Sequence, residues 1–232
     1  MIVVLWMMTS TVALAQDAPI IAHWSFDSDD AALLKDSGPY GLHAELLEGD
    51  ATNVSWVEGR AGKAIAFAPE HGCKFAAPLH EALDLQPPFT IAAWIKRTGD
   101  EPSAMEIFCR MWDSNPTGYR FRYGWKMTNL MWGDADERHS LTSPGYAIRN
   151  DKWYHVAATH DGQMVRLYIN CEHVAEAEAG PTLAKENSRA VIGNWVGRTN
   201  AYGFVGLIDE LYIIGAALDG DALFDLAEPP QP

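Results

Sequence analysis

Cysteine is scarce: three residues in 232, none in a Cys-x-x-Cys pair, which excludes a thiolate zinc site of the usual spacing. Basic residues are few as well, with 17 Lys and Arg against 31 Asp and Glu for a formal net charge of −14. A field of that sign repels nucleic acid and anionic lipid, and no basic cluster offsets it. Beyond residue 15 no apolar run is long enough to cross a bilayer as a helix. Repeated helical periodicity is missing too. So are a Gly-x-Ser-x-Gly elbow, a His-Glu-x-x-His pair and a phosphate-binding P-loop. His155 and His160 lie five apart in one strand-like run and therefore face opposite ways, which rules out a two-histidine metal grip.

What is present starts with MIVVLWMMTSTVALA, fifteen residues without a charged side chain that end in Ala13-Leu14-Ala15. A short apolar core closed by small-x-small predicts a cleaved export signal over residues 1–15, hence a secreted, periplasmic or cell-surface protein. Export permits a disulfide, and Cys73 with Cys109 is a conceivable bridge because their segments could be neighbouring strands. With Cys171 the count is odd, so at least one thiol stays free or joins another chain.

The remaining chain, 16–228, reads as one all-β domain, followed by a disordered tail at 229–232. About ten to thirteen short strands are separated by turn signals, as in an antiparallel sandwich of the jelly-roll kind. Met105–Trp112 and Tyr119–Trp125 alternate as strands, Leu130–Trp132 is a short strand, and GDADERHSLTSPG reads as a polar loop. Asp161-Gly162 between WYHVAATH and MVRLYIN is the clearest hairpin, and Asn170-Cys171 marks a second turn in which Gly would be usual after Asn. Asp219 is placed to cap a short C-terminal helix over residues 219–227.

Tyr202–Gly215, YGFVGLIDELYIIG, is apolar on both alternating faces and so reads as a strand covered on both sides. Asp209 falls in the row of Val205, Leu207, Leu211 and Ile213. A carboxylate there needs either a hydrogen-bond network or a cation. Glu210 is expected to face solvent or to meet Arg60 or Arg198. Asp27, which ends the first apolar strand, leads an acidic stretch with Asp29, Asp30 and Asp36 that does not match an EF-hand.

The blocks HWSFD, DSGPYGLHAEL, VEGRAGKAIAF, LDLQPPFTIAAWIKR, KWYHVAATHDGQMVRLYIN, AVIGNW and FVGLIDELYIIGAALDGDAL occur in this order. Together they resemble the laminin-G-like, concanavalin A-like jelly-roll family of exported bacterial proteins. Cys171 and Ala217 depart from its pattern. The resemblance implies that the first and last long strands lie side by side and bring Asp27 towards Asp209. Relatives often hold a structural calcium ion at such a place, with backbone carbonyls completing the shell; the alternative is a carboxylate that only accepts backbone N–H groups.

Hydrolases of the wider superfamily carry Glu-x-Asp-x-Glu on one strand, and no segment here fits it, so no catalytic residue is assigned. Glu176 and Glu178 share a strand face that reads as solvated. The expected activity is therefore binding. Aromatic rings receive the C–H faces of sugars while polar neighbours take the hydroxyls. Tyr119, Tyr123, Trp125 and Trp132 are the candidate platform, with Arg110, Arg122, Asn194 and Trp195 beside it on the concave sheet or its rim. An Arg next to rings also suits a carboxylated sugar or a peptide. Carbohydrate is the expected partner, a cell-surface protein the alternative, and a monomer the expected state.

Overall fold

A computed structural model describes residues 18–28, 30, 32–67, 73–99, 104–145, 148–179, 183–197 and 202–228. The export signal and the tail expected at the two ends lie outside these residues, as do Asp29 and Arg198. In chain order the strands begin with β1 (Ile20–Trp24), β2 (Leu33–Leu34), β3 (Ala44–Glu48), β4 (Val54–Glu58), β5 (Lys63–Phe67) and β6 (Lys74–Ala76). The long central ones are β7 (Phe89–Arg97), β8 (Met105–Arg110), β9 (Thr117–Gly124), β10 (Met127–Asp134) and β11 (Arg138–Thr142). Then come β12 (Trp153–His160), β13 (Met164–Ile169), β14 (Glu172–Glu178), β15 (Val191–Ile192) and β16 (Gly206–Ile214), with helix α1 (Gly220–Ala227) last.

They form two antiparallel sheets. The first runs β14-β13-β12-β7-β16-β5-β4, with β1 added along the second half of β16; the other runs β11-β10-β9-β8-β15-β6-β3-β2. Trp24, Phe75, Phe108, Phe121, Ile208 and Leu211, all fully buried, are part of the one core between them. On the far side of the first sheet α1 rests Ala222 and Leu223 against Ala92, Ala157 and Ile214. Asp219 caps that helix, its Oδ1 accepting from the Ala222 N–H at 2.9 Å. The first and last long strands are indeed neighbours, paired from Ile20 with Ile214 to Trp24 with Leu211.

Both expected tight turns are present. Asp161 Oδ1 accepts from the N–H groups of Gln163 and Met164, and Asn170 and Cys171 both have positive φ, 51° and 65°. The polar segment taken for a loop contains β11. Its His139 and Leu141 lie opposite Trp132 and Leu130, while Arg138, Ser140 and Thr142 alternate outward. Cys73 and Cys109 form no bridge: all three thiols are free, Cys73 Sγ donates to the Asp50 carbonyl, and burial pushes the Cys109 thiol up to about 12.

Candidate functional site

Strict alternation placed Asp209 among the core residues of its strand. A β-bulge changes that. Glu210 takes φ of 48° and the β16–β7 register shifts between Asp209 and Tyr212, so Ile208, Leu211 and Ile213 enter the core. Asp209 is opposite Trp94 and buried under the turn Gly59–Gly62. Its Oδ2 accepts from the N–H groups of Arg60 at 2.7 Å and Ala61 at 3.1 Å, while Oδ1 is buried with no hydrogen-bond partner. Asp27, exposed, grips the other end of the same turn through Lys63 N–H at 2.9 Å. The turn tolerates no side chain: a Cβ on Gly59 would stand 2.5 Å from Asp209 Oδ2, and one on Gly62 2.0 Å from Asp27 Oδ1.

Burial is the main reason the Asp209 carboxyl is pushed up to about 7, and the two backbone donors pull it back only partly. Among the described residues no group of three His, Cys, Asp or Glu is placed to hold a metal. An orphaned, buried carboxylate oxygen, with Asp27 at the other end of the same turn, nevertheless offers donor chemistry for a hard cation, provided backbone or water oxygens complete the shell. Glu210 keeps part of its surface in solvent, and among the described residues its partners are His23 and Tyr212 and not Arg60. Its Oε2 is 2.7 Å from His23 Nε2 and accepts from Tyr212 Oη, with the His23 ring stacked on Tyr212 at 3.8 Å.

On the second sheet the expected platform divides by parity. Tyr119, Tyr123 and Trp132 point into the sandwich and are at most 2% exposed, so they offer no surface to a ligand. The Tyr119 hydroxyl donates to the Leu83 carbonyl, and the Trp132 ring lies on His139. Arg110 is also internal: it pairs with Asp84 at 2.6 Å and donates to the carbonyls of Glu186 and Ser188. Asn194 is buried, its Nδ2 donating to the Cys73 carbonyl and its Oδ1 accepting from Trp195 N–H. Large apolar rings belong to the buried face of such strands, and the outward face then belongs to the residues between them.

That outward face is where polar chemistry gathers. Arg120 and Arg122 of β9, Asn129 and Met131 of β10, and Glu106 of β8 share it by register. Glu106 is fully buried, yet on the side away from the core, because its N–H donates to the Tyr202 carbonyl and the chain around Trp195 and Tyr202 covers it. Its Oε1 accepts from both Nε and Nη2 of Arg120, whose Nη1 reaches the exposed Asp113. Burial pushes the Glu106 carboxyl up, against the pull of Arg120. The Arg120 guanidinium lies 5.6 Å from the Trp195 ring and 5.2 Å from that of Tyr202.

Trp195 donates its Nε1–H to the Met111 carbonyl and meets Trp112 edge-on at 6.0 Å. Trp112 is 39% exposed. Lys74 fastens the loop beyond from below, its buried Nζ donating to Glu48 Oε1 and to the carbonyls of Val196 and Gly197. Of the sequence candidates, Arg122 belongs to this surface, while Trp195 is buried against Trp112. Trp125 stands apart at the β9–β10 hairpin tip, 59% exposed and held at φ of 47°, a conformation that costs a β-carbon-bearing residue about 1–2 kcal/mol. Glu106, Trp112, Arg120, Asn129 and Tyr202 were missed. The available signal was charge parity, since Arg120 and Arg122 alternate against Tyr119, Phe121 and Tyr123. Glu176, on the edge strand β14, is half exposed and pairs with Arg166.

Residues 73–223 match the family model of the concanavalin A-like lectin/glucanases superfamily, more than half of the chain, and the chain belongs to that superfamily. No curated protein matches it. Among solved structures, the binding domain of Paraclostridial Mosquitocidal Protein 1 superposes with a TM-score of 0.73 at 16% identity, over 92% of this chain and 52% of that one. Domain 4 of the Geobacillus stearothermophilus extracellular arabinanase AbnA, solved with arabinotriose, gives 0.68 at 24% identity over 91% and 99%. The botulinum neurotoxin serotype D ligand-binding domain, solved with N-acetylneuraminic acid, gives 0.69 at 17% over 92% and 52%. The chain thus spans about half of each toxin domain and nearly all of the arabinanase domain. At these identities the likeness is one of fold.

Proposed function

We propose that this chain is an exported, non-catalytic module that binds polysaccharide on the outward face of β8, β9 and β10, with the Trp125 hairpin as a rim contact. One observation carries the reading: that face holds rigid, half-buried hydrogen-bonding groups against tryptophan and tyrosine rings. A merely solvated sheet face would need neither a buried Glu106 nor an arginine clasped between rings. Trp112 supplies exposed apolar surface for a pyranose or furanose ring, and Arg122 and Asp113 supply polar contacts around it. The ligands in the arabinanase and neurotoxin structures support the class, since two similar folds take sugars. No Glu-x-Asp-x-Glu row lies on any strand, which favours binding over hydrolysis.

Affinity gels containing arabinan, xylan or mixed-linkage β-glucan test this reading. Trp112→Ala and Trp125→Ala should each weaken retention about tenfold, the loss of one stacking contact. Neither should lower the melting midpoint by more than a degree or two, because both rings are exposed. Unchanged retention in both variants would remove the sugar surface from this face.

We also propose a structural calcium ion between Asp209 and Asp27. In chelator the ordinary carboxylate value applies to the unfolded chain and the raised one to the fold, so Asp209 favours the fold below pH 4 and progressively less up to about pH 7. Subtracting the pH profile of Asp209→Asn should isolate a slope approaching 1.4 kcal/mol per pH unit across that window. Excess calcium should abolish the slope and raise the midpoint at pH 7 and above. A midpoint indifferent to calcium at every pH argues against the ion.

A further inference from the structure

We propose that the polysaccharide recognised on this face is acidic, and that Arg122 binds the carboxylate of a uronic acid residue; this rests on the sugar-binding reading above. Three observations converge. First, Arg122 is held in place without being neutralised. Its Nε donates to Asn129 Oδ1 at 2.9 Å, and the Asn129 amide is itself pinned by the Leu141 carbonyl and Thr142 Oγ1, each at 2.8 Å. No hydrogen bond or ion pair to its Nη atoms is found among the described residues.

Second, its neighbours are committed elsewhere. Arg110 has Asp84, and Arg120 has both Glu106 and Asp113. Glu106 lies directly across the ladder from Arg122 and attracts it, but its Oε1 is already bonded twice to Arg120. Burial lowers the Arg122 pKa and Arg120 adds repulsion, so the guanidinium is not fully compensated. In a chain with a net charge of −14, carboxylates are plentiful, yet among the described residues none is hydrogen-bonded to this group. Third, the two free Nη atoms form one edge of a planar fork, the geometry that takes a carboxylate through two parallel hydrogen bonds. A neutral sugar would leave the half-buried cation unmatched. A polymer lying along this face can set a uronate carboxylate on Arg122 and another of its rings on the exposed Trp112.

The full chain is run through affinity gels of polygalacturonate, alginate and hyaluronan, each beside its carboxyl-reduced form. The expected result is that at least one native polymer retards the protein and its reduced form does so at least about tenfold less. Arg122→Gln should lose about tenfold on that native polymer with its melting midpoint unchanged, and Arg122→Lys, charged but without the fork, should fall between. Equal retention by native and reduced polymers overturns the charge inference and leaves sugar binding standing. Retention by a native polymer that Arg122→Gln does not alter overturns the role of Arg122. If none of these polymers retains the wild type, the acidic-ligand inference falls, and the neutral gels decide the sugar reading on their own.

Discussion

Arg120→Met should lower the unfolding free energy by about 3–4 kcal/mol at pH 7, and most of that loss should disappear by about pH 4. Among the described residues Arg120 is the sole direct hydrogen-bond partner of the Glu106 side chain, which has no solvent exposure. Without the guanidinium the carboxylate stays buried and unpaired or takes up a proton. Protonation sets the ceiling. Unfolded glutamate titrates near 4.3, so neutralising it at pH 7 costs about 2.7 units at 1.36 kcal/mol each. The sign follows: a carboxyl raised in the folded variant loses nothing below the unfolded value, and the deficit grows as pH rises above it. The contact with exposed Asp113 adds little. Arg120→Met combined with Glu106→Leu should recover most of the loss, because two apolar side chains can replace a buried pair at little cost. Urea unfolding of the three proteins at both pH values measures this. An equal loss at pH 4 and pH 7 would show that the Arg120→Met cost is steric and not that of an orphaned charge.

Asp36→Ala should cost about 3–5 kcal/mol, from three backbone donors losing an ionised acceptor. Oδ1 accepts from His23 N–H and Gly38 N–H, each at 2.8 Å, and Oδ2 from Leu42 N–H at 2.6 Å. Those bonds tie β1 to the loop over its end. The same loop receives the Trp24 indole, whose Nε1–H donates to the Leu42 carbonyl at 3.2 Å. The core tryptophan and the turn are therefore anchored together. Asp36→Asn keeps an acceptor for His23 and Gly38 but turns an amide N–H towards Leu42 N–H, so about half the loss is expected. Variants that both melt with the wild type would refute this role for Asp36.

The two layers, the Asp-Gly and Asn-Cys turns and the capped helix were legible in the chain because each is local, whereas the pairing of the first and last strands was implied only by the family resemblance. Alternation with period two, turn chemistry and a capping carboxylate leave marks within a few residues. Parity was legible, but which parity faced inward was not settled by alternation alone. Tyr119, Tyr123 and Trp132 went to the interior, as large rings between two sheets must. Register breaks were not legible either. The bulge at Glu210 lifted Asp209 out of the core row, and another between Glu106 and Phe108 turned Ile107 and Phe108 both inward.

By itself, then, the sequence determined an all-β chain with an excess of acid, no catalytic row and the right punctuation for a jelly roll. Only tertiary structure decided that Asp209 and Asp27 hold one glycine turn from its two ends. It also decided that Glu106 is buried on an outward face and that Arg122, fixed by Asn129, has no carboxylate bonded to it among the described residues. Those arrangements depend on contacts between strands far apart in the chain, and on the exact residue where a ladder slips, neither of which local patterns record.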